Sequence, residues 1–257
     1  MSCLRRPGTK IGCIALLCLK KLQSHPSAVR LSGTSFVHAG RDCSDGSRQS
    51  RRQICPILRA QRPRVKTLSE YLQDAAVAHG HLCAGQVLGV RMAMLGLQKL
   101  GIDDPRGKDR KRVVTFVEID RCATDAIMVV TGCRLGKRAL KFRDWGKMAA
   151  TFIDLESGKA VRIAARESSK ALAKSMYPEL EKNQQQMKAY QEMDENRLFQ
   201  TQWVKVGLPP EEFPGYKGER IVCEQCGEGV NFHREVKKDG KTLCRNCAGE
   251  RYYEVVE

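Results

Sequence analysis

What this 257-residue chain lacks narrows its function first. No apolar run approaches the ~18 residues that a membrane span requires, and there is no Gly-rich nucleotide loop and no Ser-His-Asp pattern. Catalytic options are thereby reduced to metal or thiol chemistry. Histidine is scarce, five in all, so each one bears on where a metal could sit. Acids are nearly absent from the first 66 residues, which hold 14 Lys+Arg against two Asp, a net of +12. Residues 67–257 hold 31 against 27, a net of only +4. The formal charge of +16 is therefore mostly a property of an N-terminal arm, and the body is not the basic surface that a nucleic-acid binder presents.

Within that arm, the apolar run Ile11–Leu19 is followed directly by Lys20 and Lys21, without a small-x-small cleavage site, so it does not complete a secretory signal. A lipoprotein reading at Cys18 fails on the bulky Leu17 before it. From His25 to Arg64 there is no apolar periodicity, and such a segment cannot bury enough surface to offset its ordering entropy. Residues 1–66 are expected to be disordered. Because bacterial start codons can be read as Val, translation is expected to begin near Val65. A cytoplasmic location goes with the missing export signal.

From Thr67 onward the chain is patterned. Thr67 or Ser69 can cap a helix whose apolar positions Leu68, Tyr71, Leu72, Ala75, Ala76 and Ala78 recur at helical spacing. A second helix is predicted from about Gln86 to Leu100, ended by Gly101. Arg112–Ile119 is β-branched and short, hence a buried strand. A helix through Ala126, Ile127, Val129 and Val130 to Gly132 follows, then strands at Leu140–Asp144, Ala149–Leu155 and Ala160–Ala165, the last two joined by a hairpin turn over Glu156–Lys159. Clustered strands of this kind predict an α+β core with a mixed sheet over residues 67–176. Residues 166–200 are polar and helix-favouring, without a strand signal, and read as exposed helices broken by Pro178. A helical linker is expected over 177–216, and a separate module over 217–257.

The chemistry concentrates in two places. His79, His81 and Cys83 put two imidazoles and a thiol at every second position, flanked by Gly80 and Gly85. Those are the ligand types that borderline-soft transition metals prefer. All three side chains share a face only if this stretch is an extended turn, since in a helix His81 points away from the other two. Cys122 and Cys133 flank the third helix, and with about 1.5 Å of rise per residue their thiols lie too far apart to bind one metal within a single chain. Cys122, where a strand ends and a helix begins, is expected to have a depressed thiol pKa. A core metal site, zinc among the candidates, is therefore expected from His79, His81, Cys83 and Cys122, with Asp120 and Asp125 close enough to orient the ligands. Cys133 is left between simple burial and a role in a pocket or across a dimer interface.

The second place is Cys223-x-x-Cys226 and Cys244-x-x-Cys247, seventeen residues apart, the spacing of a four-cysteine zinc ribbon or treble clef. Each knuckle presents two thiolates, two knuckles complete a tetrahedron, and a module this small needs the metal to fold. His233 is left out, because four thiolates already satisfy zinc. Residues 217–257 hold eight Lys+Arg and eight Asp+Glu, so nucleic-acid binding is not expected of this module.

These stretches also carry a resemblance. HGHLCAG, EIDRCATDAIMVVTGCRLGK and RDWGKMAATF resemble the formylmethanofuran dehydrogenase E-subunit family, and CEQCG…LCRNC resembles the zinc finger of many of its members. One departure is Ala84, where the family usually has Pro after the first Cys; it changes turn rigidity and not ligand chemistry. The resemblance implies an α+β core, a homodimer, metal near the His/Cys stretch, and association with a molybdenum or tungsten oxidoreductase acting on formyl groups or formate. Lys137, Arg143, Asp144 and Lys147 match positions in the family's motif, where basic side chains would hold an anionic ligand. Three classes of function follow: a metal-binding accessory protein, a metal- or thiol-dependent enzyme in its own right, and a zinc-finger regulator.

Overall fold

The structure, a computed structural model, describes residues 66–256; the expectations for the basic arm and for a start at Val65 fall outside the described residues. Helix α1 (Leu68–His79) begins with a capping box. The Thr67 hydroxyl accepts the Glu70 amide at 3.3 Å while the Glu70 carboxylate accepts the Thr67 amide at 2.7 Å, so of the two expected caps it is Thr67 that acts. Gly80 ends α1 in the left-handed region (φ 95°), turning the chain sharply into α2 (Ala84–Leu100). Helix α2 is apolar almost all round, with Val87, Val90, Met92 and Ala93 completely buried. It is the central helix of the core.

Strand β1 (Val113–Val117), helix α3 (Cys122–Thr131) and strand β2 (Leu140–Phe142) form a parallel crossover unit, with Thr115 registered on Leu140. Strands β3 (Ala149–Asp154) and β4 (Ala160–Ala165) follow as an antiparallel hairpin, and β3 pairs with β1. Side chains alternate across the sheet as period-2 geometry requires. Val113, Val117, Phe152, Val161 and Ile163 face the helices, and Val114, Ile153 and Ala160 face the other side. The other face also holds a buried ion pair: Arg162 donates to both Glu118 oxygens at 2.7 and 2.6 Å, and Glu118 is 3 % exposed.

The structure differs from the sequence reading over 166–204. Helices α4 (Ser168–Met176), α5 (Lys182–Glu192) and α6 (Glu195–Leu198) are not merely exposed connectors. Ala173, Ala189, Tyr190, Met193 and Leu198 are buried in the main core. Arg91 of α2 donates to the Tyr190 and Met193 carbonyls at 2.7 and 2.6 Å, satisfying the C-terminal end of α5. A fifth strand, β5 (Phe199–Val204), pairs antiparallel with β4 and closes one edge, giving the order β2-β1-β3-β4-β5. Four of its six side chains are exposed, which removes the alternation that would have revealed it. The architecture is α+β with a mixed sheet, as its sequence pattern predicts.

The C-terminal module consists of two small hairpins, β6 (Arg220–Val222) with β7 (Gly229–Asn231) and β8 (Val236–Lys238) with β9 (Lys241–Leu243), and a single helical turn, α7 (Arg245–Ala248). Among the described residues no helix is long and apolar enough to cross a membrane.

Candidate metal centre

The turn between α1 and α2 and the start of α3 meet at one point. His79 is the last residue of α1, Cys83 is the extended residue before α2 (φ −140°, ψ 167°), and Cys122 is the first residue of α3. A ring nitrogen of His79 and the Sγ atoms of Cys83 and Cys122 all lie within 4.8 Å of one another. The convergence follows from local geometry. Gly80, in the left-handed region, reverses the chain so that Cys83 returns beside His79. Close packing of α2 against α3 then brings Cys122 to Cys83. That packing depends on glycine: a Cβ on Gly89 would lie 2.4 Å from the Ala123 carbonyl oxygen, and one on Gly85 would lie 3.3 Å from the Cys122 Cβ.

Asp125 stands three residues after Cys122, on the same face of α3, and its carboxylate lies 2.8 Å from His79 Nδ1. A hydrogen bond there leaves Nε2 as the nitrogen with a free lone pair. His81 is not in the cluster. It is exposed, and its ring packs against that of His79 with centroids 4.9 Å apart. Asp120 is exposed, as are Asp144 and Lys147, the last with its ammonium 5.7 Å from the Trp145 ring centre. Lys137 is exposed beyond the far end of α3, and Arg143 pairs with Glu212 at 3.1 Å. Cys133 is 2 % exposed, with its thiol 3.5 Å from the Val113 carbonyl and from the Thr115 hydroxyl; burial pushes its pKa up. Of its two readings, burial is what the structure displays.

The expected depression of the Cys122 pKa is overturned. Burial first, and then the Cys83 thiol beside it, push Cys122 up, outweighing the favourable charge of Arg121. Two adjacent thiols resist becoming two thiolates unless a cation lies between them, which is what a metal supplies.

Cys83 and Cys122 open onto a cleft of about 520 Å³ whose far wall comes from α4, α5 and the residues just before α4. Glu167, Lys170, Asn183 and Gln186 line that wall, and Arg121 and Arg166 also line the cleft. Sequence reasoning missed this wall. The signal was the helical spacing of two polar pairs, 167 with 170 and 183 with 186, in a stretch otherwise read as solvated.

In the C-terminal module the Sγ atoms of Cys223, Cys226, Cys244 and Cys247 also lie within 4.8 Å of one another. The amides of Cys226 and Cys244 point at Cys223, the latter at 3.2 Å, and draw its thiol pKa down to about 6. Cys247 is pushed up to about 12 by burial and by its neighbouring thiols. Four thiolates cannot crowd together without a cation, and this donor set suits zinc. His233 takes no part in the tetrad, and its Nε2 lies 3.0 Å from the Tyr216 hydroxyl.

A family model described as "FmdE, Molybdenum formylmethanofuran dehydrogenase operon" matches residues 78–207, half of the chain and the whole of the His79–Cys122 neighbourhood. The chain belongs to the FmdE family. A second model, the prokaryotic dksA/traR C4-type zinc finger, matches residues 216–253, so the FmdE core here carries a four-cysteine zinc-finger domain. A relative from Archaeoglobus fulgidus, named a probable S-adenosyl-L-methionine-binding protein, is 34% identical over 209 residues. The match covers 74% of this chain and 55% of the relative, so the chain spans little more than half of that protein. The crystal structure of a tungsten formylmethanofuran dehydrogenase FmdE-like protein from Syntrophus aciditrophicus superposes with a TM-score of 0.51 at 23% identity, covering 74% of this chain and 96% of that one. At that identity the likeness speaks for the FmdE fold alone.

Proposed function

We propose that this FmdE-family chain is a metal-binding accessory protein of a molybdenum or tungsten oxidoreductase that acts on formyl groups or formate. One transition metal, zinc among the candidates, is held in its core by His79, Cys83 and Cys122. A structural zinc is held by Cys223, Cys226, Cys244 and Cys247. The observation that supports the core site is the meeting of one imidazole and two thiols within 4.8 Å from elements far apart in sequence. Family membership supports the oxidoreductase association, and a homodimer remains part of the proposal. With equal numbers of acids and bases in the finger, a nucleic-acid regulator is disfavoured.

One observation favours the second class, an enzyme in its own right. Two thiols that line an open cleft, with one imidazole beside them, form the three-ligand pattern that leaves a coordination position for water or substrate. Bound there, the metal would supply Lewis-acid polarisation, while Asp125 orients His79 and the polar wall of α4 and α5 positions what enters.

Element-resolved analysis of the full chain tests the site. About two metals per chain are expected, falling to about one in a His79→Ala, Cys83→Ser double variant. A double variant that keeps its full metal load would sink the core site. Recovery of a molybdenum or tungsten enzyme with the tagged chain from its own host separates the accessory role from the independent enzyme, for which no such enzyme co-purifies.

A further inference from the structure

We propose that the basin at the C-terminal end of α3 binds a compact polyanion of the diphosphate class. The basin, about 420 Å³, lies between the loop that precedes β1 and the turn that follows α3. Arg106, Arg110 and Lys111 line one wall, Arg134 and Lys137 line the other, and no acidic side chain lines either. Among the described residues none of these five cations has an ion-pair partner.

The arrangement has a local cause. The loop is not poor in acids, since Asp104 and Asp109 lie within it. Both are turned inward. The Asp104 carboxylate accepts the amides of Gly107 and Lys108 at 2.9 and 3.0 Å. Asp109 is buried, accepts the Asp104 amide at 3.2 Å and pairs with Arg112 at 3.1 Å. Asp104 and Asp109 are consumed in holding the loop, the exposed Asp103 is not among the residues that line the basin, and the loop's bases are left facing it. An ordinary solvated charge run disperses its cations, whereas two opposed walls concentrate their field on one small volume.

The carbonyl end of α3 opposes an anion, but by only about half a unit charge. Arg106 already donates to one of those carbonyls, Val129, at 3.2 Å. Five unpaired cations outweigh that. The size lies within the range of small-molecule sites, and no aromatic ring lines the basin, so nothing there stacks a base. A compact ligand with two or more anionic groups fits better than a nucleic-acid strand. The basin sits about 15 Å along α3 from Cys122, so it is separate from the metal centre.

Isothermal titration of the full chain with inorganic pyrophosphate at low salt tests the site against two double variants. Arg134→Ser with Lys137→Ser strips one wall. Lys174→Ser with Lys182→Ser removes equal charge from exposed positions elsewhere. Heat from the basic arm or from metal chelation is common to all three proteins and cancels. Losing two charge-assisted hydrogen bonds should weaken binding by about tenfold or more, and the control should stay within about twofold. Equal weakening in both variants, or none in the basin variant, overturns the proposal. So does a single-stranded oligonucleotide whose binding the basin variant loses while pyrophosphate fails to compete. Should the first variant fold poorly, Arg110→Ser with Lys111→Ser removes the opposite wall and carries the same expectation. ADP identifies the source: tighter binding than pyrophosphate assigns the diphosphate to a nucleotide, and equal binding assigns it to a free anion.

Discussion

Replacing Gly89 with alanine tests whether the contact between α2 and α3 holds the two thiols of the cleft together. The added methyl would lie 2.4 Å from the Ala123 carbonyl oxygen and 2.8 Å from its Cα. Comfortable separations are about 3.5–4.0 Å, so something must yield by about 1 Å, and the obstacle is helix backbone rather than a side chain able to rotate. Overpacking of this kind costs about 1–3 kcal/mol. Removing glycine from a helix interior gives back about 1 kcal/mol, so the upper end of the expected net loss is about 2 kcal/mol. In a chain of this size that lowers the Tm of the core by about 4–8 °C. A second effect is local. Ala123 follows Cys122, so a shift of α3 moves the Cys122 thiol relative to Cys83. Metal–ligand distances tolerate about 0.2 Å, and the core metal should be lost while the finger keeps its zinc. Calorimetry and metal analysis of the full-length variant read both effects. A Gly89→Ala protein that melts above the wild-type temperature, or that keeps its full core metal, would refute the reasoning.

Other perturbations have equally definite outcomes. Arg162→Ala strands the buried Glu118 carboxylate and should cost about 3–5 kcal/mol in denaturant unfolding, most of it recovered when Glu118→Gln and Arg162→Met are combined; a cost under about 1 kcal/mol counts against a buried pair. Asp154 is pushed up by burial but pulled further down by Arg112, Ser157 and the Glu156 amide, to about 2 from an ordinary 3.8. A depressed carboxyl stabilises the fold fully above its unfolded pKa and ceases to do so as pH falls through the folded one. Asp154→Asn should therefore abolish part of the acid destabilisation between about pH 4 and pH 2, and an unchanged slope there contradicts the Arg112 contact. Chelation of zinc should unfold the C-terminal module and speed tryptic cleavage at Lys237 and Lys238, while far-UV circular dichroism of the core helices changes little; unaltered cleavage would mean that the hairpins stand without metal.

Much of this was written in local sequence. Thr67 with Glu70, Gly101 and Gly132 mark helix ends through interactions that span a few residues, and they were readable for that reason. The two CxxC knuckles likewise carry their own geometry. The meeting of Cys122 with His79 and Cys83 was expected from ligand chemistry, and of the two carboxylates expected beside the ligands, Asp120 and Asp125, it is Asp125 that meets His79. What stayed hidden depends on packing between distant segments. Strand β5 is an edge strand with mostly exposed side chains, so no alternation betrayed it. Helix α5 enters the core through little more than Ala189 and Tyr190, too narrow a stripe to register as amphipathic. His81 leaves the cluster because the chain turns at Gly80 before it, and a period-2 reading cannot foresee a left-handed residue inside the turn. The direction of the Cys122 shift depends on burial and on the nearby Cys83 thiol, neither of which its place at a helix start reveals.

The ligands of the cleft are also separated in time. His79 and Cys83 leave the ribosome together, but Cys122 emerges only after the whole of α2 and β1 has been made, and it reaches them only once α3 has docked. A partly assembled chain offers a metal two donors, and the finished one offers three. Any ion that prefers three donors stabilises the finished fold over its precursors by mass action. Its retention would then mark chains whose sheet and helices have come together correctly.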